Sequence, residues 1–335
     1  MVAPSVSVLM PFKNAAEHLP AALDSILAQS LTNFELVAVD DGSQDDSAAQ
    51  LQTYAHKDSR VRLLQPGAQG LIAALNLGLA SCRAPYVARM DADDLMHPER
   101  LQRQLQRFDE TPDLALVSSR VHCFREGELQ RGYQAYECWA NAAVTHEEIL
   151  RELYIESPLP HPSVMFRRKA VHALKGYRDQ GWPEDYDLWL RMAHAGHRFA
   201  KVPAVLLEWR DHDQRHSRTH GRYSDEAFLR CKAHHLAQGP LAARPAIVWG
   251  AGKLGRRLAK HLRDEGATLL GFIDIDPRKL GRCLHGLPIA SPETAAPGAR
   301  ALILTAVRTL GARDLIRARL YAKGCQEGRD FICAA

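Results

Sequence analysis

The chain has 335 residues, 46% of them hydrophobic and 24% charged, and a formal net charge of +4. That length favours two domains over one, and the balance is that of a globular protein rather than a disordered or fibrous one. The charge is mild and the arginines form no long run, which argues against a nucleic-acid-binding protein; anionic substrates or an acidic membrane surface stay compatible with it.

In chain order, short β-type runs alternate with helical periodicity, the pattern of an α/β sheet. "SVSVLMPF" reads as a first strand, followed by a helix from Ala15 to Ala28 with Leu19, Leu23, Ile26 and Leu27 at helical spacing. "FELVAVDDGS" is a second strand running into a turn, "DDSAAQLQTYAHK" a helix with an acidic start, and "VRLLQP" a third strand. "LIAALNLGLASC" is a further helix and "PYVARMDADD" a fourth strand. A helix over 98–108, the strand "LALVSSRVHCF" and a weakly patterned, charged excursion over 124–160 come next. "HPSVMFRRKAV" reads as a strand entering a helix, "EDYDLWLRMAHAG" as a helix ended by Gly196, and "FAKVPAVLLEWR" as a strand.

A composition break at "LAQGPLAARP" marks a linker, and beyond it β-α alternation restarts with "AIVWGAG", "KLGRRLAKHLRDEG" and "TLLGFIDID". The expected division is a first domain over 1–238, a linker over 239–245 and a small α/β domain over 246–335. The seven cysteines are widely spaced with no CxxC pair, so neither a zinc ribbon nor a disulfide framework is expected. There is no basic n-region with an apolar h-region, and no uncharged apolar run of the ~20 residues a membrane span needs. A cytoplasmic protein is the expectation, with peripheral attachment to the inner face of a membrane left open.

Acidic residues gather where strands end: Asp40 and Asp41 after "FELVAV", and Asp91, Asp93 and Asp94 after "PYVAR". Open α/β sheets bind ligands outside the carboxyl ends of their strands. Carboxylates at such an edge suit a hard cation, Mg2+ or Mn2+, that completes its shell with ligand phosphates. Either cluster alone also has a bland reading, since D-x-D arises by chance and "DDGS" is a good turn and helix-cap sequence.

Taken in order, "SVSVLMPFKNA", "FELVAVDDGSQD", "GLIAALNLGLA", "YVARMDADD", "EDYDLWLRMAHAG" and "LLEWRDH" resemble the GT-A-fold glycosyltransferases of the family-2 type, over about Ser5 to Ser217. The resemblance implies a GT-A mixed-sheet domain and transfer of a sugar from a nucleoside diphosphate donor, UDP-linked by preference, to a glycan or lipid-linked acceptor. By the same resemblance Pro11 lines the nucleotide pocket, Asp41 accepts a hydrogen bond from the base with Asp40 beside it, and Asn76 and Gly78 border the donor. Asp91 and Asp93 form the metal element, one of them touching the ribose or a metal-bound water, and Asp94 is an auxiliary contact. Arg210 and His212 reach phosphate or metal. Asp185 is the base of an inverting transfer and Glu184 contacts the acceptor or tunes it.

An inverting transfer requires such a base, and the helix start that "EDYDLW" forms is expected to keep Asp185 ionised; equally, Glu184 and Asp185 are good helix caps. Asp187 reads as structural. His161 either faces the acceptor or is a satisfied structural histidine. His212, His216 and His220 at four-residue spacing invite a zinc reading, but the stretch is polar and arginine-rich and reads as a mobile loop.

The last domain carries "GAGKLG", a G-x-G-x-x-G at Gly250, Gly252 and Gly255 that follows a strand and opens a helix, with Asp274 lying 22 residues after Gly252. A Rossmann-like unit binding NAD(P) or another nucleotide is one expectation, and a docking or dimerisation module is the other. Three rivals to the transferase reading follow. One is an NAD-dependent sugar-nucleotide oxidoreductase centred on this unit, and another a non-catalytic sugar-nucleotide sensor. The third, a nucleotidyltransferase, wants a glycine-rich loop that "MPFKNAAEHL" lacks.

Overall fold

The computed structural model describes residues 3–125, 127, 131–213, 215–309 and 311–335. The chain divides into two compact units. The first comprises Met1–Ile149, Pro158–Gln180 and Glu184–Thr219, and the second Leu150–Ser157, Gly181–Pro183 and His220–Ala335.

The first unit opens with β1 (Val6–Phe12), α1 (Leu19–Leu27), β2 (Phe34–Asp40), α2 (Ser47–Lys57), β3 (Val61–Leu64), α3 (Leu71–Ser81), β4 (Tyr86–Arg89) and β5 (Leu95–Met96). It continues with α4 (Arg100–Glu110), β6 (Leu114–Phe124), α5 (Arg131–Ala142), α6 (His146–Glu152, which runs into the second unit), β7 (Met165–Arg167), α7 (Arg168–Ala173), α8 (Glu184–His194), β8 (Arg198–Arg210) and α9 (His216–Thr219). The eight strands form one mixed sheet in the order β3-β2-β1-β4-β7-β6-β8-β5. Strands β1 to β4 are parallel, and β7 is antiparallel to both β4 and β6.

Strands β1 and β2 are buried at every residue, because helices cover both faces of a parallel sheet and leave no polar side. α3 lies so close to them that a Cβ on Gly78 would stand 2.2 Å from Leu9 Cδ1. The register Phe12↔Asp40 and Leu9↔Arg89 brings the ends of β1, β2 and β4 to one edge. There the Met90 N–H still donates to the Leu9 carbonyl at 3.0 Å as the chain leaves the sheet.

The second unit holds α10 (Asp225–Gln238), β9 (Ala246–Trp249), α11 (Lys253–Asp264), β10 (Leu269–Ile273), β11 (Cys283–Leu284), β12 (Leu287–Ala290), β13 (Leu302–Thr305), α12 (Ala312–Ala322) and β14 (Phe331–Cys333). Its sheet runs β11-β12-β10-β9-β13-β14, and β12, β10, β9, β13 and β14 are parallel. Its core is built on Trp249, Ile273, Ile303, Leu320 and Phe331.

Three features differ from the sequence reading. α10, counted there with the first domain, groups with the second unit. Lys232 donates to the Ile155 and Ala334 carbonyls at 2.8 and 2.6 Å, and His234 lies 2.9 Å from Glu265. The segment 239–245 is a tight turn rather than a loose linker, with the Leu241 N–H donating to the Leu236 carbonyl at 2.9 Å. Within the polar stretch after β8, expected to be a loop, His216–Thr219 form the short helix α9, and the side chain of His216 lies outside the described residues. All seven cysteines are free thiols, and no helix among the described residues is long and apolar enough to cross a membrane.

Candidate active site

Two strand ends build the acidic cluster. Asp91, Asp93 and Asp94 lie between β4 and β5, and β5 pairs antiparallel with β8 through Leu95↔Glu208. That pairing delivers the end of β8 to the acidic loop. The Arg210 N–H donates to Asp94 Oδ1 at 2.8 Å, and Arg210 Nε donates to the Asp93 carbonyl at 2.9 Å. His212 Nε2 lies 2.9 Å from Asp93 Oδ2. The Arg210 guanidinium also stacks over Phe124 at 4.5 Å, so this arginine braces the loop.

One oxygen from each of Asp91, Asp93 and Asp94 lies within 4.8 Å of the others. Asp94 is buried, and its Oδ2 has no hydrogen-bond partner among the described residues. Burial, together with the charges of Asp93 and Asp91, raises its pKa well above the usual carboxylate range. Burial acts the same way on Asp93, but the hydrogen bond from His212 and the charge of Arg215 outweigh it and lower the pKa. Arg215 itself stacks on Trp209 at 4.4 Å.

Glu35, another buried carboxylate, shows the contrast. Both of its oxygens are taken, by Ser7, Arg62 and Arg83, and these bonds overcome burial to hold its pKa below the usual value. A buried acid satisfied internally is structural. An orphaned oxygen in a cluster of hard oxygen donors, with an imidazole beside it, fits a divalent cation such as Mn2+ or Mg2+.

Sequence reasoning missed Arg89. Its guanidinium is 3% exposed, pairs with Asp91 Oδ1, and is also held charged by Glu184. Its charge therefore acts on both the acidic cluster and the start of α8. The signal was present, since residues two apart in an extended chain share a face, but the second partner lies 95 residues further on.

At the start of α8, Asp185 is partly buried, and its Oδ1 accepts the Tyr186 N–H at 2.7 Å. Burial and the charge of Glu184 push its pKa up to about 7. This corrects the expectation that the helix start keeps it ionised, because the Tyr186 N–H and Arg89 act in that direction and are outweighed. His161 Nδ1 lies 3.8 Å from Glu184 Oε1, and His161 Nε2 lies 2.9 Å from Tyr177 Oη. Burial and Arg89 lower the pKa of His161 well below 6.5, so its ring is neutral. Asp187 pairs with Arg191 at 2.7 Å.

Asn76 has a different setting from the one expected. Its amide donates to the Tyr177 carbonyl and accepts the Tyr177 N–H, both at 2.9 Å, so it holds the loop that carries Tyr177. Asp40 Oδ1 accepts the Ser43 N–H at 2.8 Å and closes the turn after β2. Asp41 Oδ1 accepts from the N–H groups of Gln69 and Gly70 at 2.8 and 2.7 Å, and Pro11 pairs with Val39 beside them.

In the second unit the glycines serve close packing. A Cβ on Gly255 would meet the Gly250 carbonyl oxygen at 1.8 Å, one on Gly250 would meet the Ala306 carbonyl oxygen at 2.8 Å, and Gly252 caps α11. Asp274 is already engaged by the N–H groups of Ala251 and Asp276, each at 2.9 Å, and by Lys279 Nζ at 2.8 Å.

The profile of glycosyl transferase family 2 matches residues 7–174, half of the chain and most of this acidic edge. The chain belongs to glycosyl transferase family 2. Among family relatives, the amylovoran biosynthesis glycosyltransferase AmsE of Erwinia amylovora is 31% identical over 207 residues, covering 62% of this chain and 75% of AmsE. S. aureus TarS 1-349, solved with UDP-GlcNAc, superposes with a TM-score of 0.56 at 16% identity, over 71% of this chain and 68% of that one. The mannosyltransferase PcManGT of Pyrobaculum calidifontis, solved with GDP-Man and Mn2+, gives 0.50 at 21% identity, over 71% and 63%. These structures share the fold, and the family-2 chain is a glycosyltransferase.

Proposed function

We propose that this glycosyltransferase moves a sugar, with inversion, from a UDP-linked donor to a hydroxyl of a surface glycan or lipid-linked acceptor, with Asp185 as general base. The observation that carries the reading is buried Arg89, which pairs with Asp91 of the acidic cluster and whose charge also acts on the Glu184–Asp185 pair. Two carboxylate groups with opposite tasks, one holding the donor and one taking a proton, need to be near each other without repelling.

Asp41, with Oδ1 occupied by backbone amides, keeps Oδ2 for the donor base. Asp91, Asp93, Asp94 and His212 would hold Mn2+ or Mg2+, which, when bound, supplies Lewis-acid stabilisation to the departing diphosphate. Arg215, near Asp93, adds positive charge on the same side. As the acceptor oxygen bonds to the anomeric carbon, its proton passes to a carboxylate oxygen of Asp185, and the bond to the diphosphate breaks with the electron pair leaving on the phosphate oxygen. A base with a pKa near 7 combines a usable ionised fraction with enough basicity to take that proton. A UDP donor is supported by the TarS complex with UDP-GlcNAc, and a metal by the PcManGT complex with GDP-Man and Mn2+, on the same fold.

We read the second unit as a Rossmann-like docking module rather than a dinucleotide site. The acid positioned for a ribose is occupied by Ala251, Asp276 and Lys279, which favours a structural role. Calorimetric titration of UDP-, GDP- and dTDP-sugars with and without Mn2+ tests the reading. Metal-dependent binding of one donor, lost in Asp91→Ala/Asp93→Ala, supports it; tight NAD(H) binding with no donor binding overturns it.

A further inference from the structure

The two parts of the sequence are oppositely charged. Residues 1–219 carry 24 Lys and Arg against 29 Asp and Glu, while residues 220–335 carry 19 against 10. Many cations of the second unit have a carboxylate partner: Arg257 with Glu226, Lys279 with Asp274, Arg317 with Glu327 and Arg319 with Glu293. Lys253, Arg256, Lys260 and Arg263 are different. All four are exposed on α11, and none of their side chains has an ion pair or hydrogen bond with a described residue.

Helical geometry puts them on one face. At 3.6 residues per turn the four fall within an arc of about 80°, along a line of about 15 Å. The opposite arc, Gly255, Leu258, Ala259 and Leu262, is buried. Arg257 and His261, to one side, are tied to Glu226 of α10. The cationic stripe is thus held rigidly outward by packing behind it and ion pairs beside it. The stripe carries four cations against one exposed carboxylate, Asp264, at its C-terminal margin, an excess of one sign that a surface shaped only for solubility avoids.

We propose that the outer face of α11 docks the protein on a bilayer surface rich in acidic phospholipid headgroups. The face is convex and holds no groove-lining aromatic side chain for stacking bases, which disfavours single-stranded nucleic acid. A line of ammonium and guanidinium groups needs only a plane of phosphates. Each basic residue near an anionic bilayer contributes about 1 kcal/mol, so four give reversible, salt-sensitive attachment rather than permanent anchoring. The inference does not depend on which donor or base the first unit uses.

The test is co-sedimentation of the full chain with vesicles of phosphatidylcholine alone or mixed with phosphatidylglycerol, over a salt series. Binding to the mixed vesicles only, weakened by salt, is expected. The variant Lys253→Gln/Arg256→Gln/Lys260→Gln/Arg263→Gln should lose about 1,000-fold in partitioning at low salt with its melting curve unchanged. Arg278→Gln/Arg308→Gln, which removes exposed cations that already have carboxylate partners, should bind like the wild type. Equal binding to neutral vesicles, no binding at all, wild-type binding by the fourfold variant, or displacement from vesicles by an equal phosphate concentration of duplex DNA would each overturn the proposal.

Discussion

His212 Nε2 stands 2.9 Å from Asp93 Oδ2, although 119 residues separate the two in the chain. The contact is held from behind by buried Asp211, whose carboxylate takes Arg218 Nη2 at 2.7 and 2.8 Å. His212→Ala should therefore weaken Mn2+ binding about 10- to 100-fold while leaving the melting temperature nearly unchanged. Manganese titration checks this, and an unaltered affinity would remove His212 from the metal site.

Asp94→Asn separates fold from site. The buried carboxyl of Asp94 has an orphaned oxygen and a raised pKa, so the metal-free protein gains little from its charge. The amide should be neutral or slightly stabilising in melts without metal, yet should cut Mn2+ affinity at least tenfold. A strongly destabilised metal-free variant would mean that Asp94 is a structural acid like Glu35.

The pH dependence follows from Asp185. Its pKa rises from 3.8 to about 7, so the ionised base appears, and transfer climbs, as pH passes through about 7. Between about pH 4 and 7 the folded chain holds a proton here that the unfolded chain has lost, so this group's contribution to stability falls across that window. Asp185→Asn should then melt a few degrees above wild type at pH 8 and level with it at pH 4. Arg89→Met removes the nearby cation and should move the rising limb of the pH–rate profile up by about one unit, with Arg89→Lys restoring part of the shift. A limb that stays in place would show that Arg89 does not act on Asp185.

Packing under the site is tested at Gly78. A methyl group there collides with Leu9 and lies 2.9 Å from Val39 Cγ2, both on the strands that end at the donor edge. Gly78→Ala should cost about 1–3 kcal/mol in chemical denaturation, as overpacking does elsewhere.

The strands that carry the acids were legible because both of their faces are covered. Such strands read as near-continuous apolar runs such as "LVAV", and the abrupt change to aspartate marks the sheet edge. What stayed hidden depends on distant chain. The role of Arg89 needs Glu184, that of Asn76 needs Tyr177, and the affiliation of α10 needs Ile155 and Ala334. The charge state of Asp185 is hidden for a related reason: a helix start can be read from sequence, whereas the burial that opposes it cannot. The polar stretch after β8 lacks an apolar stripe and reads as mobile, yet Asp211 and Asp213 within it pair with Arg125 and Arg218.

The most direct test of Asp185 as the base compares donor binding and transfer in Asp185→Asn, using the sugar nucleotide identified by titration. The predicted result is donor affinity within about twofold of wild type, with transfer lowered by about 10²–10⁴. Transfer at the wild-type rate in that variant would contradict the account and place the base elsewhere.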